Sequence, residues 1–193
     1  VRAAIIREKG TNGEREMAYS LYLAGFDVKD VTMTDLISGR ETLEDVNMIV
    51  YCGGFSNSDV LGSAKGWAGG FLFNEKAKEA LDKFYAREDT LSLGICNGFQ
   101  ALIKLGLVPY GEIRDLDSNS PTLTFNTIGR HVSCMARTRI ASNKSPWLAN
   151  VNTGDVHTIA LSHGEGRFIA SEEQVKELRS EEHTSELQSR SDL

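Results

Sequence analysis

Apolar residues along the chain fall into short blocks separated by polar, glycine-containing turns, and the spacing within the blocks alternates between two periods. Ala3-Ala4-Ile5-Ile6 is a continuous apolar run of the kind a strand covered on both faces requires. It ends at a polar loop carrying Gly10 and Gly13, after which Met17, Ala18, Leu21 and Tyr22 recur at helical spacing. Thr11 and Glu14 stand at capping-box spacing ahead of that helix, and Gly25 stands where a helix is commonly stopped. Residues 26–32 read as a second strand, 48–51 as a third, 74–87 as a helix and 91–95 as a fourth strand.

Strands that alternate with helices favour a doubly wound α/β fold with a mostly parallel sheet, in which sites lie at the carboxyl ends of strands. Two glycine-rich turns fall at such ends: Gly53-Gly54 and the stretch around Gly94 and Gly98. After Gly106 the pattern changes. Residues 123–126, 131–140 and 156–161 look like strands joined by polar turns, which predicts an antiparallel extension, and a further helix is expected from Ser171. The length fits one domain, and no internal repeat or low-complexity linker interrupts it.

The tail from Arg179, RSEEHTSELQSRSDL, has no apolar periodicity and matches the translation of a sequencing-library adapter, so 179–193 is expected to be foreign. The first residue is a valine that leads straight into an apolar run, an expectation of a piece cut from a longer polypeptide. The domain is therefore taken as 1–178, incomplete at its carboxyl-terminal end.

The formal net charge of −6 gives no basic surface for nucleic acid or an anionic membrane, and no apolar run approaches the roughly 18 residues of a membrane span. Cys52, Cys96 and Cys134 have neither the even, dense spacing of a disulfide framework nor the paired spacing of a zinc site, which favours a reducing cytoplasm and no metal.

One cysteine stands in a special place. Gly94-Ile95-Cys96-Asn97-Gly98 follows an apolar strand and precedes an apparent helix, the Gly-x-nucleophile-x-Gly pattern of a nucleophile elbow. A side chain on so sharp a turn needs neighbours without a Cβ, and the helix behind it directs N–H groups and a positive dipole end at the sulfur. The alternative, a plain buried cysteine, leaves the paired glycines unexplained.

Extended to Gln100, this segment resembles the G-x-C-x-G-x-Q motif of class I (triad-type) glutamine amidotransferases, whose fold is flavodoxin-like. Residues 7–17, Cys52-Gly53-Gly54-Phe55-Ser56 with Asp59-Val60-Leu61-Gly62, and Ser162-His163-Gly164-Glu165-Gly166-Arg167-Phe168 are similar to the glutaminase domains of phosphoribosylformylglycinamidine synthases. Cys52 before the double glycine is more like the large single-chain form than the small-subunit form, which usually has proline there. Asn57-Ser58 departs from the Tyr-Gly common in this loop.

The resemblance implies that Cys96 attacks the side-chain amide of glutamine, that Gly53 or Gly54 and Asn97 supply oxyanion-hole N–H groups, and that Gln100, Ser162 and His163 line the glutamine site. It implies no cofactor in this domain. ATP and magnesium would serve a synthetase region of the same chain, absent here, which receives the ammonia. The family's catalytic His and Glu lie in a Pro-His-Pro-Glu-like segment, and none occurs in this sequence. His163 and Glu165 have the same His-x-Glu spacing and would share one face of a strand, so they stand as the rival base and orienter. Trp67, Trp147 and Cys134 are expected in the core. Two other functions stay open: a different cysteine hydrolase on the same elbow, and a non-catalytic docking module.

Overall fold

The computed structural model describes residues 1–179; the rest of the expected foreign tail, with His183, lies outside the described residues. The chain divides into two compact units, one of residues 1–116 and one beginning at residue 117.

The first unit is built on β1 (Arg2–Arg7), β2 (Asp27–Thr32), β3 (Met48–Tyr51) and β4 (Leu91–Gly94), all parallel, in the order β2-β1-β3-β4. The helices between them are α1 (Glu14–Leu23), α2 (Met33–Ser38), α3 (Lys65–Leu72) and α4 (Glu75–Tyr85), followed by α5 (Asn97–Lys104) and the short α6 (Leu107–Tyr110). The chain passes from β1 outward to β2 and then crosses back to β3, which makes the gap between the β1 and β3 carboxyl ends the switch point of the sheet.

The two inner strands are buried along their lengths because both faces are covered. On one face Ala3, Ile5, Met48, Val50 and Cys52 pack with Leu21 of α1, and Met17, Phe26 and Leu93 close the rim. On the other face lies Tyr51, with its ring centroid 5.5 Å from that of Trp67 and 6.0 Å from that of Phe71, both on α3. Residues of opposite parity thus feed opposite layers, as the pleat requires.

Local signals set most of the helix ends. Asn74 caps α4 by accepting from the Ala77 N–H at 3.0 Å. Thr32 and Asp35 form a reciprocal capping box at the start of α2. The box expected from Thr11 and Glu14 does not form. Gly13 is the residue before α1, while the Thr11 hydroxyl donates to the Glu8 carbonyl and Thr11 itself bridges to Gly54. The loop after β1 is engaged across the sheet and is not free to cap α1. Gly25, at φ +90°, does stand just past the end of α1.

In the second unit β5 (Thr122–Thr124) pairs antiparallel with β8 (Arg167–Ile169), and β6 (Val132–Arg139) pairs antiparallel with β7 (Val156–His163). The antiparallel character expected after Gly106 is present. Helix α7 (Glu172–Arg179) follows and includes Arg179, the first residue of the expected tail. Trp67 is fully buried as expected, but Trp147 is 40% exposed, because it sits in a short turn (Pro146–Leu148) and not in a packed layer. Cys134 is only half-buried, on a two-stranded ribbon.

Candidate active site

Strands β3 and β4 are neighbours, with Tyr51 opposite Gly94, so the two glycine-rich turns that follow them emerge side by side at the carboxyl edge of the sheet. Cys96 stands in the second turn with φ 53° and ψ −112°. A non-glycine residue rarely adopts that backbone, and holding it costs on the order of 1–3 kcal/mol. The surroundings hold it there: the Ile95 N–H donates to the Tyr51 carbonyl at 3.0 Å and the Gly98 N–H to the Ile95 carbonyl at 2.8 Å. The side chain is exposed at the amino end of α5.

Close packing explains the glycines on either side. A Cβ at Gly98 would collide with the Tyr51 carbonyl, and one at Gly94 would lie 2.8 Å from the Phe99 backbone nitrogen. Helix α5 therefore rests directly on the backbone of β3 and on its own approach strand. Gly53 completes the nest, since a Cβ there would come within 3.1 Å of both the Cys96 Cβ and the Ile95 carbonyl. Gly54, at φ +116°, presses against the loop after β1, where a Cβ would meet the Gly10 carbonyl at 2.7 Å.

That loop is a second wall of the site. The Asn12 N–H donates to the Gly53 carbonyl at 2.9 Å, the Phe55 N–H to the Gly10 carbonyl at 2.9 Å, and the Asn57 N–H to the Lys9 carbonyl at 2.7 Å. The Gly53 carbonyl is thus engaged while, among the described residues, the N–H groups of Gly53, Gly54 and Asn97 are not committed to a backbone carbonyl. Those are the three donors the sequence singled out for an oxyanion hole. Arg7 ends β1 by clamping Asp30 through Nε at 2.7 Å and Nη2 at 2.6 Å.

Asn97 contributes its side chain as well. It is buried, its Oδ1 accepts from the Ser56 N–H at 3.0 Å, and its Nδ2 donates to Gln100 Oε1 at 2.9 Å. Of the three thiols, Cys52 is shut away at 2% exposure, and burial, with a smaller contribution from nearby Glu14, pushes it up to about 11. Only Cys96 is exposed.

The second unit holds the remaining site candidates. Ser162 and His163 end β7, and the Ser162 hydroxyl lies 2.9 Å from His131 Nε2. His163 Nδ1 lies 2.9 Å from Asn126 Oδ1. Asn126 donates through Nδ2 to the Arg130 carbonyl at 3.1 Å and the His163 carbonyl at 2.9 Å, which leaves Oδ1 as the end facing the imidazole. His163 therefore carries its proton on Nδ1 when neutral. Burial first, then the nearby His131, holds its pKa below the usual histidine value. Glu165 lies beyond the end of β7 in a bend, so the shared strand face expected for His163 and Glu165 is absent and the residue that orients His163 is Asn126. Sequence reasoning missed Asn126, since a lone asparagine in a loop carries no spacing signal.

Among the described residues no cluster of three His, Cys, Asp or Glu side chains could hold a metal ion, and no helix is long and apolar enough to cross a membrane.

Comparison with known proteins places this geometry in a family. Over 175 residues the chain is 41% identical to phosphoribosylformylglycinamidine synthase of Dictyostelium discoideum, covering 90% of this chain and 13% of that protein. Over 184 residues it is 41% identical to phosphoribosylformylglycinamidine synthase of Homo sapiens, covering 91% of this chain and 14% of that protein. The chain thus spans a small fraction of the curated relatives it matches. Among solved structures, PurLQS from Thermotoga maritima superposes with a TM-score of 0.71 at 26% identity, covering 89% of this chain and 70% of that one. The model of the CobB/CobQ-like glutamine amidotransferase domain matches residues 1–187, and the chain belongs to that family.

Proposed function

We propose that this chain is the glutaminase part of a phosphoribosylformylglycinamidine synthase of the large single-chain type, with residues 1–178 as the amidotransferase domain and 179–193 as a foreign tail. It hydrolyses glutamine and delivers ammonia to a synthetase region elsewhere in the same polypeptide, in a reducing cytoplasm. The observation that carries the reading is Cys96, exposed on a left-handed elbow at the amino end of α5, with Gly53 against its Cβ.

Cys96 Sγ adds to the side-chain amide carbon of glutamine, and the carbonyl oxygen, becoming an oxyanion, is held by the N–H groups of Asn97 and of Gly53 or Gly54. Collapse of the adduct breaks the C–N bond. The leaving nitrogen takes up the proton lost by the thiol and departs as ammonia. Water then attacks the γ-glutamyl thioester, releasing glutamate and restoring the thiol. Gln100, Ser162 and His163 line the glutamine site in this reading, and the base comes from a Pro-His-Pro-Glu-like segment that the 193 residues do not contain.

In this reading ATP and magnesium would be held in the synthetase region, where they would supply activation of the acceptor amide of formylglycinamide ribonucleotide. The sequence has no Gly-x-x-x-x-Gly-Lys-Ser/Thr run, and the glutaminase steps above use neither group.

An electrophilic glutamine analogue tests the assignment in the complete enzyme. Peptide mapping is expected to find the adduct on Cys96, with Cys52 and Cys134 unmodified. Equal labelling of the three thiols would remove the case for a special nucleophile. The 193-residue chain alone is expected to release no glutamate above background, since loss of one member of such a catalytic unit costs on the order of a million-fold.

A further inference from the structure

The mechanism uses the backbone of Asn97 and leaves its side chain unassigned. That side chain is 2% exposed, and both ends of its amide are engaged. The Ser56 N–H can only donate, so the atom facing it is Oδ1; Nδ2 then faces Gln100, which must turn Oε1 toward it. The orientation of two amide groups is thereby set by one backbone N–H.

Ser56 belongs to a segment under local strain. Asn57, Ser58 and Asp59 have φ of 53°, 57° and 48°, and Ser63 and Ala64 follow at 47° and 58°. Five left-handed non-glycine residues within eight positions cost roughly 1–2 kcal/mol each, and such backbone persists only where its surroundings over-determine it. The loop after β1 ties down Phe55 and Asn57. The tie at Ser56, between them, comes from the first residue of the nucleophile's own helix.

We propose that the Asn97 side chain is a positioning residue, which clasps the loop after β3 to the amino end of α5 so that the Gly53-Gly54 and Asn97 N–H groups keep one separation while Gln100 is held in one orientation. The proposal rests on the glutaminase reading above. Two backbone arms of an oxyanion hole that arise from different turns need such a clasp, because a shift of about 1 Å in catalytic geometry can cost on the order of 100-fold in rate.

The test uses the complete enzyme, with glutamate release and ammonium-dependent synthesis measured in parallel. Asn97→Ala removes both contacts and is expected to lower kcat for glutamine about 10-fold or more and, with Gln100 released, to raise KM, with ammonium-dependent synthesis retained. Asn97→Asp keeps an oxygen for the Ser56 N–H, so the clasp survives, but it forces Gln100 to turn its NH2 inward. It is expected to raise KM about 5-fold or more while kcat stays closer to the parent than in Asn97→Ala. A kcat for Asn97→Ala within about 2-fold of the parent would overturn the proposal, as would identical kcat and KM for the two variants. If Asn97→Ala does not fold, an unchanged KM in Asn97→Asp overturns it. Cys96→Ala separates the two levels: glutaminase activity surviving that change sinks the functional reading itself, whereas its loss beside an unaffected Asn97→Ala sinks only the clasp.

Discussion

Two glycines inside helices of the first unit offer the same substitution with opposite expected signs. Gly69 lies in α3 and Gly98 in α5, and in either helix alanine gains about 1 kcal/mol of propensity over glycine. At Gly69 the new methyl meets only the edge of the Phe73 ring at 3.6 Å, an ordinary contact with a side chain that is 91% exposed. The propensity gain is realised, and Gly69→Ala is expected to raise the melting temperature by about 2 °C. At Gly98 the methyl would overlap the Tyr51 carbonyl and lie 2.6 Å from its carbon, both backbone atoms of a fully buried strand. Neither can rotate away, so α5 must move off the sheet, an overpacking cost of about 3 kcal/mol. The net loss after the propensity gain is about 2 kcal/mol, or roughly 4–8 °C. The chain has two tryptophans, one in each unit, so in a Trp147→Phe background the fluorescence of buried Trp67 reports the first unit alone. A Gly98→Ala variant melting at or above its parent, or a Gly69→Ala variant melting below Gly98→Ala, would refute the claim that helix α5 rests on bare backbone.

Cys96→Ala in the complete enzyme is expected to abolish glutamine-dependent synthesis and leave synthesis from added ammonium largely intact; loss of both in a folded protein would assign Cys96 to another role. Cys96→Gly is expected to be more stable than Cys96→Ala by about 1–2 kcal/mol, because both lack the sulfur but only glycine relieves the left-handed backbone; equal urea midpoints would mean the elbow carries no strain. For His163, nitrogen-15 chemical shifts are expected to show the neutral ring protonated at Nδ1, with titration below the ordinary value of about 6.5, and Asn126→Ala is expected to erase the tautomer preference. The folded pKa lies below the unfolded one, so above about pH 6.5 the ring is neutral in both states and contributes nothing to pH dependence. As pH falls through the window below that, the unfolded chain binds the proton first and stability declines; a rise in stability there on acidification would contradict the burial of His163.

The parallel sheet was legible because its two inner strands are continuous apolar runs, and the elbow because glycines at fixed offsets around a cysteine have few other uses. Helix α2 was hidden behind β2: Thr32 is both the last strand residue and the cap, and its reciprocal partner is Asp35, not the longer Glu or Gln of the usual box. Helix α3 was masked by composition, since Lys65-Gly66-Trp67-Ala68-Gly69-Gly70 reads as a loop by propensity, while the buried faces of Trp67 and Phe71 against Tyr51 supply the stabilisation that propensity lacks. The Thr11 cap failed for the converse reason. Its spacing was right locally, but a tertiary bridge to Gly54 uses that backbone first. At the candidate site, the elbow and the glycines packed around it were legible in sequence, whereas Asn126 and the Asn97 side chain, which act only through hydrogen bonds, were not.

That division has a physical origin. A glycine against the Cβ of Cys96 and a glycine under helix α5 are demanded by excluded volume, which an added Cβ violates at once. The clasp through Asn97 and the orientation of His163 by Asn126 depend on directed bonds whose partners are backbone or amide groups far away in sequence, 41 and 37 residues respectively. Such bonds leave no periodicity to read. They nonetheless act on the groups that excluded volume has placed. The strained turn at Cys96 fixes where the sulfur stands, while the strained loop from Asn57 to Ala64 is braced within itself, the Ala64 N–H donating to Asp59 Oδ1 at 2.9 Å, and is joined to the site by its tethers at Phe55, Ser56 and Asn57. On the proposed reading, the rigid turn supplies the nucleophile and the tethered one sets how closely the proposed oxyanion donors approach it.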